Sequence, residues 1–234
     1  MIEHRPFDSL GAFKTGWLDA HYHFSFSEYR DPERTHWGAL RVWNDDAIQP
    51  KTGFPPHPHA DMEIITYVRT GAITHEDSLG NRGRTEAGDV QVMSAGSGVT
   101  HAEYNVEDGV TTLYQIWIMP KSRGGAPFWG AAKFPKEDRA GSLVTLASGF
   151  SEDQEQGALP IRQDARVMAA TLSPGQGITF VPKTGAKQYL AVAKGAVRVN
   201  GAEVGARDGA AIAEETELRI EAQSLSEIVL VETI

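Results

Sequence analysis

Two short runs hold the residues best suited to chemistry: His57-Pro58-His59 and, further along, His101-Ala102-Glu103. On a β-strand, side chains two apart leave the same face about 6.6–6.8 Å from each other. Each run would therefore aim two donor groups the same way, and two such strands side by side would bring three imidazoles and a carboxylate to one point. That donor set suits a divalent first-row transition metal at bond lengths of about 2.0–2.2 Å. Four protein ligands around an ion that accepts about six leave positions open for a reactant, which a purely structural site lacks. The chain has no cysteine, so thiolate ligands and disulfides are excluded. His101 is the last of the eight histidines, so nothing after it can build a His-rich site.

The elements that must position these residues read as strands. Pro50 to Pro56 predicts a stiff loop in which prolines fix φ and withhold amide donors, delivering His57 and His59 with little freedom. Met62–Arg69 and Ala72–His75 predict a hairpin turned at Thr70-Gly71. Val90–Met93, Val99–Asn105 and Thr112–Met119 add strands separated by glycine-rich turns, the rhythm of an all-β sandwich or barrel. Earlier, Ala20–Ser27 alternates as a half-buried strand, and its His21 and His23 lack a second ligand pair nearby, which favours a structural role. Leu40–Asn44 predicts another strand, with Asn44-Asp45-Asp46 as a turn or solvated end, since Asp45 and Asp46 would face opposite sides of a strand. Pro120 to about Gly141 shows no period and predicts a connector that packs Phe128 and Trp129 and contains a domain boundary. Beyond it the same rhythm resumes, as in an internal duplication. Met62, Ile64, Met93 and Ile116 are expected to fill the interior, and Gln115 and Trp117 to share a face.

At 234 residues the chain can form one large or two modest domains. Lys and Arg number 22 against 31 Asp and Glu, a net charge of −9, which argues against a surface built to neutralise phosphates and so against nucleic acid as a direct partner. No basic start leads into an apolar run, and no stretch of 18 apolar residues occurs, so neither a secretion signal nor a membrane span is expected. With no cysteine, a cytoplasmic location is the expectation.

The set of motifs resembles the cupins, and one branch of them more closely. His57-Pro58-His59 with Asp61-Met62-Glu63, the run His75 to Gly83, Gly88-Asp89-Val90-Gln91, Ala95-Gly96 with Gly98, and His101 with Glu103 look like the pirin family. Asn44-Asp45-Asp46 and Gln115 to Pro120 are similar to bacterial pirins too. The resemblance implies an all-β bicupin of two stacked antiparallel β-barrels of jelly-roll type, residues 1–135 forming a metal-binding domain and 136–234 a degenerate one without ligands. It implies His57, His59, His101 and Glu103 as metal ligands. Glu63, which other cupins use as the fourth ligand, would share the face of His57 and His59 by parity and stand as a neighbouring or exchangeable carboxylate. His75 and Gln115 are further candidates for contact with the ligands or the substrate. Ala60, Ser94 and Ala102 depart from other pirins, which bears on substrate fit and leaves the metal ligands unchanged.

Some pirins resemble quercetin 2,3-dioxygenases, which implies a metal-dependent dioxygenase. A flavonol would chelate the metal through its 3-hydroxyl and 4-carbonyl, Glu103 would take the hydroxyl proton, and O2 would open the ring with loss of carbon monoxide. Fe(II) is the first choice, and nickel, copper, manganese or zinc also suit the donor set. The resemblance supports a second reading, a metal-binding regulatory or interaction protein with a protein partner and no turnover. A third is another small enol or diketone as substrate.

Overall fold

The computed structural model describes residues 1–234. The chain forms four sheets, two in each half. In the first half a seven-stranded sheet runs in the order Phe128–Ala132, Val90–Ser94, Glu63–Thr70, Thr111–Ile118, Leu40–Ile48, Leu18–Tyr22 and Gly11–Lys14. Facing it is a four-stranded sheet of Thr52–His59, Val99–Asn105, Ala72–Asp77 and Arg82–Glu86. The second half repeats the plan. Its large sheet has Gly209–Ile212, Lys187–Lys194, Ser226–Thr233, Ala165–Leu172 and Val144–Ser148 in sequence, and its small sheet has Gly177–Phe180, Leu218–Ala222, Val197–Val199 and Ala202–Val204. The matching strand orders are those of a duplicated unit. Each unit is a two-sheet jelly roll whose sheets end on free edges.

One strand crosses between the units. Ile2–Arg5 pairs with Gly209–Ile212 and so forms the edge of the second half's large sheet. Nothing local in Met1-Ile2-Glu3-His4-Arg5 announces this, because the partner lies at the far end of the chain.

The two large sheets stack on each other. Trp43, Ile65, Tyr67, Tyr114 and Ile116 from the first meet Val167, Tyr189, Ala191, Val229 and Val231 from the second in a cluster of 22 buried apolar residues. Strand alternation then leaves the other face of each large sheet for the interior of its own unit. In the second unit that interior is a dry cluster of 15 residues, Met168, Leu190, Ile220 and Leu230 among them. In the first it is split into clusters of seven and four, and polar side chains stand between them.

Four local expectations are corrected here. The proline-rich stretch is not a loop: Thr52–His59 is a strand. It tolerates Pro55, Pro56 and Pro58 because it is the edge of its sheet and bulges against its one neighbour, Phe54 pairing with Glu103 and His57 with His101. Asn44, Asp45 and Asp46 are not a turn but the buried middle of Leu40–Ile48. Within the connector, Phe128–Ala132 forms a strand against Val90–Ser94. Ile116 belongs to the inter-unit core, whereas Ile64 and Met93 do fill the first unit's interior.

Candidate metal centre

His57 and His101 are register partners on neighbouring antiparallel strands, and His59 lies two residues along from His57 on the same face. The outcome is one cluster: a ring nitrogen from each of the three histidines lies within 4.8 Å of the other two. The ring centroids are 4.5 to 5.0 Å apart.

Neighbouring groups set which nitrogen of each ring is free. His57 Nδ1–H donates to the Pro55 carbonyl at 2.7 Å, leaving Nε2 with its lone pair. His101 stands at the end of a relay. Asp77 accepts from His75 Nε2–H at 3.0 Å, so His75 Nδ1 carries a lone pair and accepts from His101 Nδ1–H at 3.4 Å. Asp77 is itself fixed by the Leu79 and Asn81 amides and the Asn81 side chain. Burial disfavours the Asp77 carboxylate, but the bonds from His75 and Asn81 outweigh it and hold its pKa below the ordinary value. His75 is wholly buried and stacked on Trp129, the two rings 4.9 Å apart and 10° from parallel. It stands behind His101 rather than lining the cavity.

The Nε2 atoms of His59 and His101 are buried and have no hydrogen-bond partner. Burial, then the charge of His57, pushes the His59 pKa down to about 4. Burial and the neighbouring histidines push that of His101 down to about 2. Both rings are therefore neutral near pH 7, the form a metal requires. Buried orphan lone pairs held neutral and pointing together fit a divalent transition metal.

Glu103 is on the same strand as His101 and lines the same cavity, but its carboxylate is not within the histidine cluster. Oε1 accepts from Thr66 Oγ1 at 3.1 Å and Gln91 Nε2 at 2.6 Å, and Oε2 accepts from Gln115 Nε2 at 2.5 Å. Burial pushes its pKa up to about 7 against the opposing effect of those three bonds. Glu63 belongs neither to the histidine cluster nor to the cavity lining. The strand carrying His57 and His59 ends at a turn where Asp61 has φ +51°, and Glu63 begins a strand of the opposite sheet. There it shares a face with Ile65 and Tyr67, toward the inter-unit core, and is bonded by Ser94, while Thr66 on the other face meets Glu103. The parity that linked Glu63 to the histidines does not survive the turn.

A cavity of about 300 Å³ opens beside the three histidines. Its exposed wall is mostly apolar, with Phe26, Phe54, Pro56, Ile64 and Trp117 among the residues that form it. Trp117 meets His59 edge-on at 4.9 Å. Gln115 and Trp117 do share the inward face, and Asn44 and Asp46, unrecognised as site residues in the sequence, join them. His21 and His23 lie elsewhere: His21 is beside Asp19, and His23 is buried against the Tyr189 hydroxyl.

Residues 4–118 match the Pirin family and residues 149–233 the quercetinase C-terminal cupin domain. A pirin-like protein of Caulobacter vibrioides is 61% identical over 99% of both chains. The chain belongs to the pirin family. Among other pirin relatives, the quercetin 2,3-dioxygenase of Escherichia coli is 38% identical over 98% of this chain and 97% of its own. The crystal structure of the bacterial pirin YhhW from Escherichia coli in complex with nickel(II) superposes with a TM-score of 0.93, at 37% identity, covering 100% of this chain and 99% of that one. No helix of this pirin is long and apolar enough to cross a membrane.

Proposed function

We propose that this pirin is a metal-dependent dioxygenase of the quercetin 2,3-dioxygenase type, opening a flavonol or a closely related enol with O2. The observation that carries the reading is the pairing of three convergent imidazoles with a largely apolar cavity at their open side. Support comes also from the name of the Escherichia coli relative and the nickel(II) in the YhhW crystal.

His57, His59 and His101 would hold the ion, with Glu103 as fourth ligand. A carboxylate has about four lone-pair sites, and Glu103 Oε2 accepts only from Gln115, so it keeps capacity for a metal. When bound, the ion would act as a Lewis acid toward an enol oxygen and bring it together with O2. We take Fe(II) as the working metal; nickel, copper, manganese and zinc suit the same donors. Glu103 is the proposed base for the enol proton. Phe26, Phe54 and Trp117 exclude water from a flat ligand. Residues 1–135 carry this chemistry, 136–234 supply a packed counterpart, and the cytoplasm is its proposed location.

Oxygen uptake by the Fe(II)-loaded protein over a panel of flavonols and small enols tests the reading, with His101→Ala as control. Uptake lost in the variant supports it. A loaded protein that consumes no oxygen with any of them would overturn it in favour of a metal-binding interaction protein.

A further inference from the structure

The cavity has a second polar end that the metal reading does not use. Tyr22, Asn44, Gln115, Thr66 and Gln91 are successive register partners across the first unit's large sheet and form one row on its interior face. At one end of that row Gln91, Thr66 and Gln115 bind the Glu103 carboxylate. At the other end Asn44, and Asp46 two residues along on the same face, are engaged by nothing. Asn44 Oδ1 and Asp46 Oδ1 are buried without a hydrogen-bond partner, their residues 4% and 2% exposed. Both residues line the cavity together with His57, His59 and His101.

Leaving buried polar atoms unpaired is costly, and native interiors seldom do it without reason. The fold does not demand them here. In the second unit an interior row on the equivalent sheet is Met168, Leu230, Leu190 and Ala210, all apolar and buried.

We propose that Asn44 and Asp46 form a hydroxyl-recognition subsite. The ligand of this pocket is then an enol that chelates at the histidine end and carries a further hydroxyl on the part that reaches the strand Leu40–Ile48. A hydroxyl suits this pair because it donates and accepts at once. Its O–H donates to Asn44 Oδ1, and its oxygen accepts from the Asp46 carboxyl, which burial and the neighbouring Asp45 keep protonated by raising its pKa well above the ordinary value. A carbonyl or a carboxylate has no proton to give and would leave Asn44 Oδ1 unpaired. The inference rests on the three histidines holding a metal, as in the reading above.

The test is binding rather than turnover, using zinc-loaded protein and two flavonols followed by the absorbance shift that chelation produces. One flavonol has only the chelating 3-hydroxyl, and the other adds hydroxyls on both aromatic rings. Wild-type protein is expected to prefer the hydroxylated flavonol by about ten- to a hundredfold. Asn44→Leu and Asp46→Leu should each bring that preference toward one while leaving the bare flavonol's affinity within about twofold. Asp46→Asn, which keeps the side-chain shape and a donor, should retain most of the preference, and a thermal melt confirms that each variant is folded. Equal affinity of the two flavonols for the wild type, or equal loss of both in folded variants, would overturn the subsite and leave the metal centre standing. No absorbance shift with either flavonol would remove both proposals.

Discussion

The two halves share one strand order and differ in what fills them. In the first, the paired strands Thr52–His59 and Val99–Asn105 set His57 opposite His101. In the second, the strands at the same place in the sheet set Ile178 opposite Ile220 and Phe180 opposite Leu218. Around the histidines stand Asn44, Asp46, Gln91 and Gln115, all buried, whereas around Ile220 the interior is Met, Leu, Val, Ile and Ala. The same architecture thus supports a polar, ligand-holding interior or a dry one. The dry half lends the other an extensive shared core between the large sheets, so the polar half need not be stable alone.

The largest effect that sharpens this contrast is a cavity in the dry interior. Leu230→Ala should destabilise the protein by about 2–5 kcal/mol, read from the urea midpoint. Asn44→Leu in the polar interior should instead stabilise the metal-free protein by about 1 kcal/mol, because it removes an unpaired buried amide. Similar losses from both substitutions would break the comparison.

Next in size is the relay behind His101. His75→Phe keeps a ring against Trp129 but removes the acceptor that fixes the His101 tautomer. Metal affinity should fall about 10–100-fold, and Asp77→Asn should weaken it in the same direction, both read by competition with a chelating dye. An unchanged affinity in folded His75→Phe would reduce His75 to packing.

The smallest effect is a slope with pH. Burial raises the Glu103 pKa to about 7, so below that value the metal-free site holds a proton that a ligating carboxylate must release. As pH falls from about 7 to 5.5, the wild type should lose affinity by up to about tenfold per pH unit more than Glu103→Gln does. Parallel slopes in the two proteins would exclude Glu103 as a ligand.

What the sequence disclosed was local. His57-Pro58-His59 and His101-Ala102-Glu103 carry their geometry within three residues, and glycine-rich turns marked the strands between them, so the histidine cluster and the all-β class were legible. Glu63 was misplaced because parity holds only inside one strand, and the Asp61 turn moves the chain to another sheet. Asp46 was read as solvated because its reason for burial is a row of partners drawn from distant strands. The one cue was Asn44 and Asp46 alternating with Trp43 and Asp45, but that run is buried on both faces and gives no inward direction. The crossing of Ile2–Arg5 into the other half left no local signal, since its partner is Gly209–Ile212.

The central claim is that the polar half, and only that half, holds a metal. Elemental analysis of the protein after loading with Fe(II) or nickel(II) and desalting tests it most directly. The account predicts about one ion per wild-type chain and none in His101→Ala, the latter remaining folded. Full metal content in a folded His101→Ala, or none in the wild type, would contradict it.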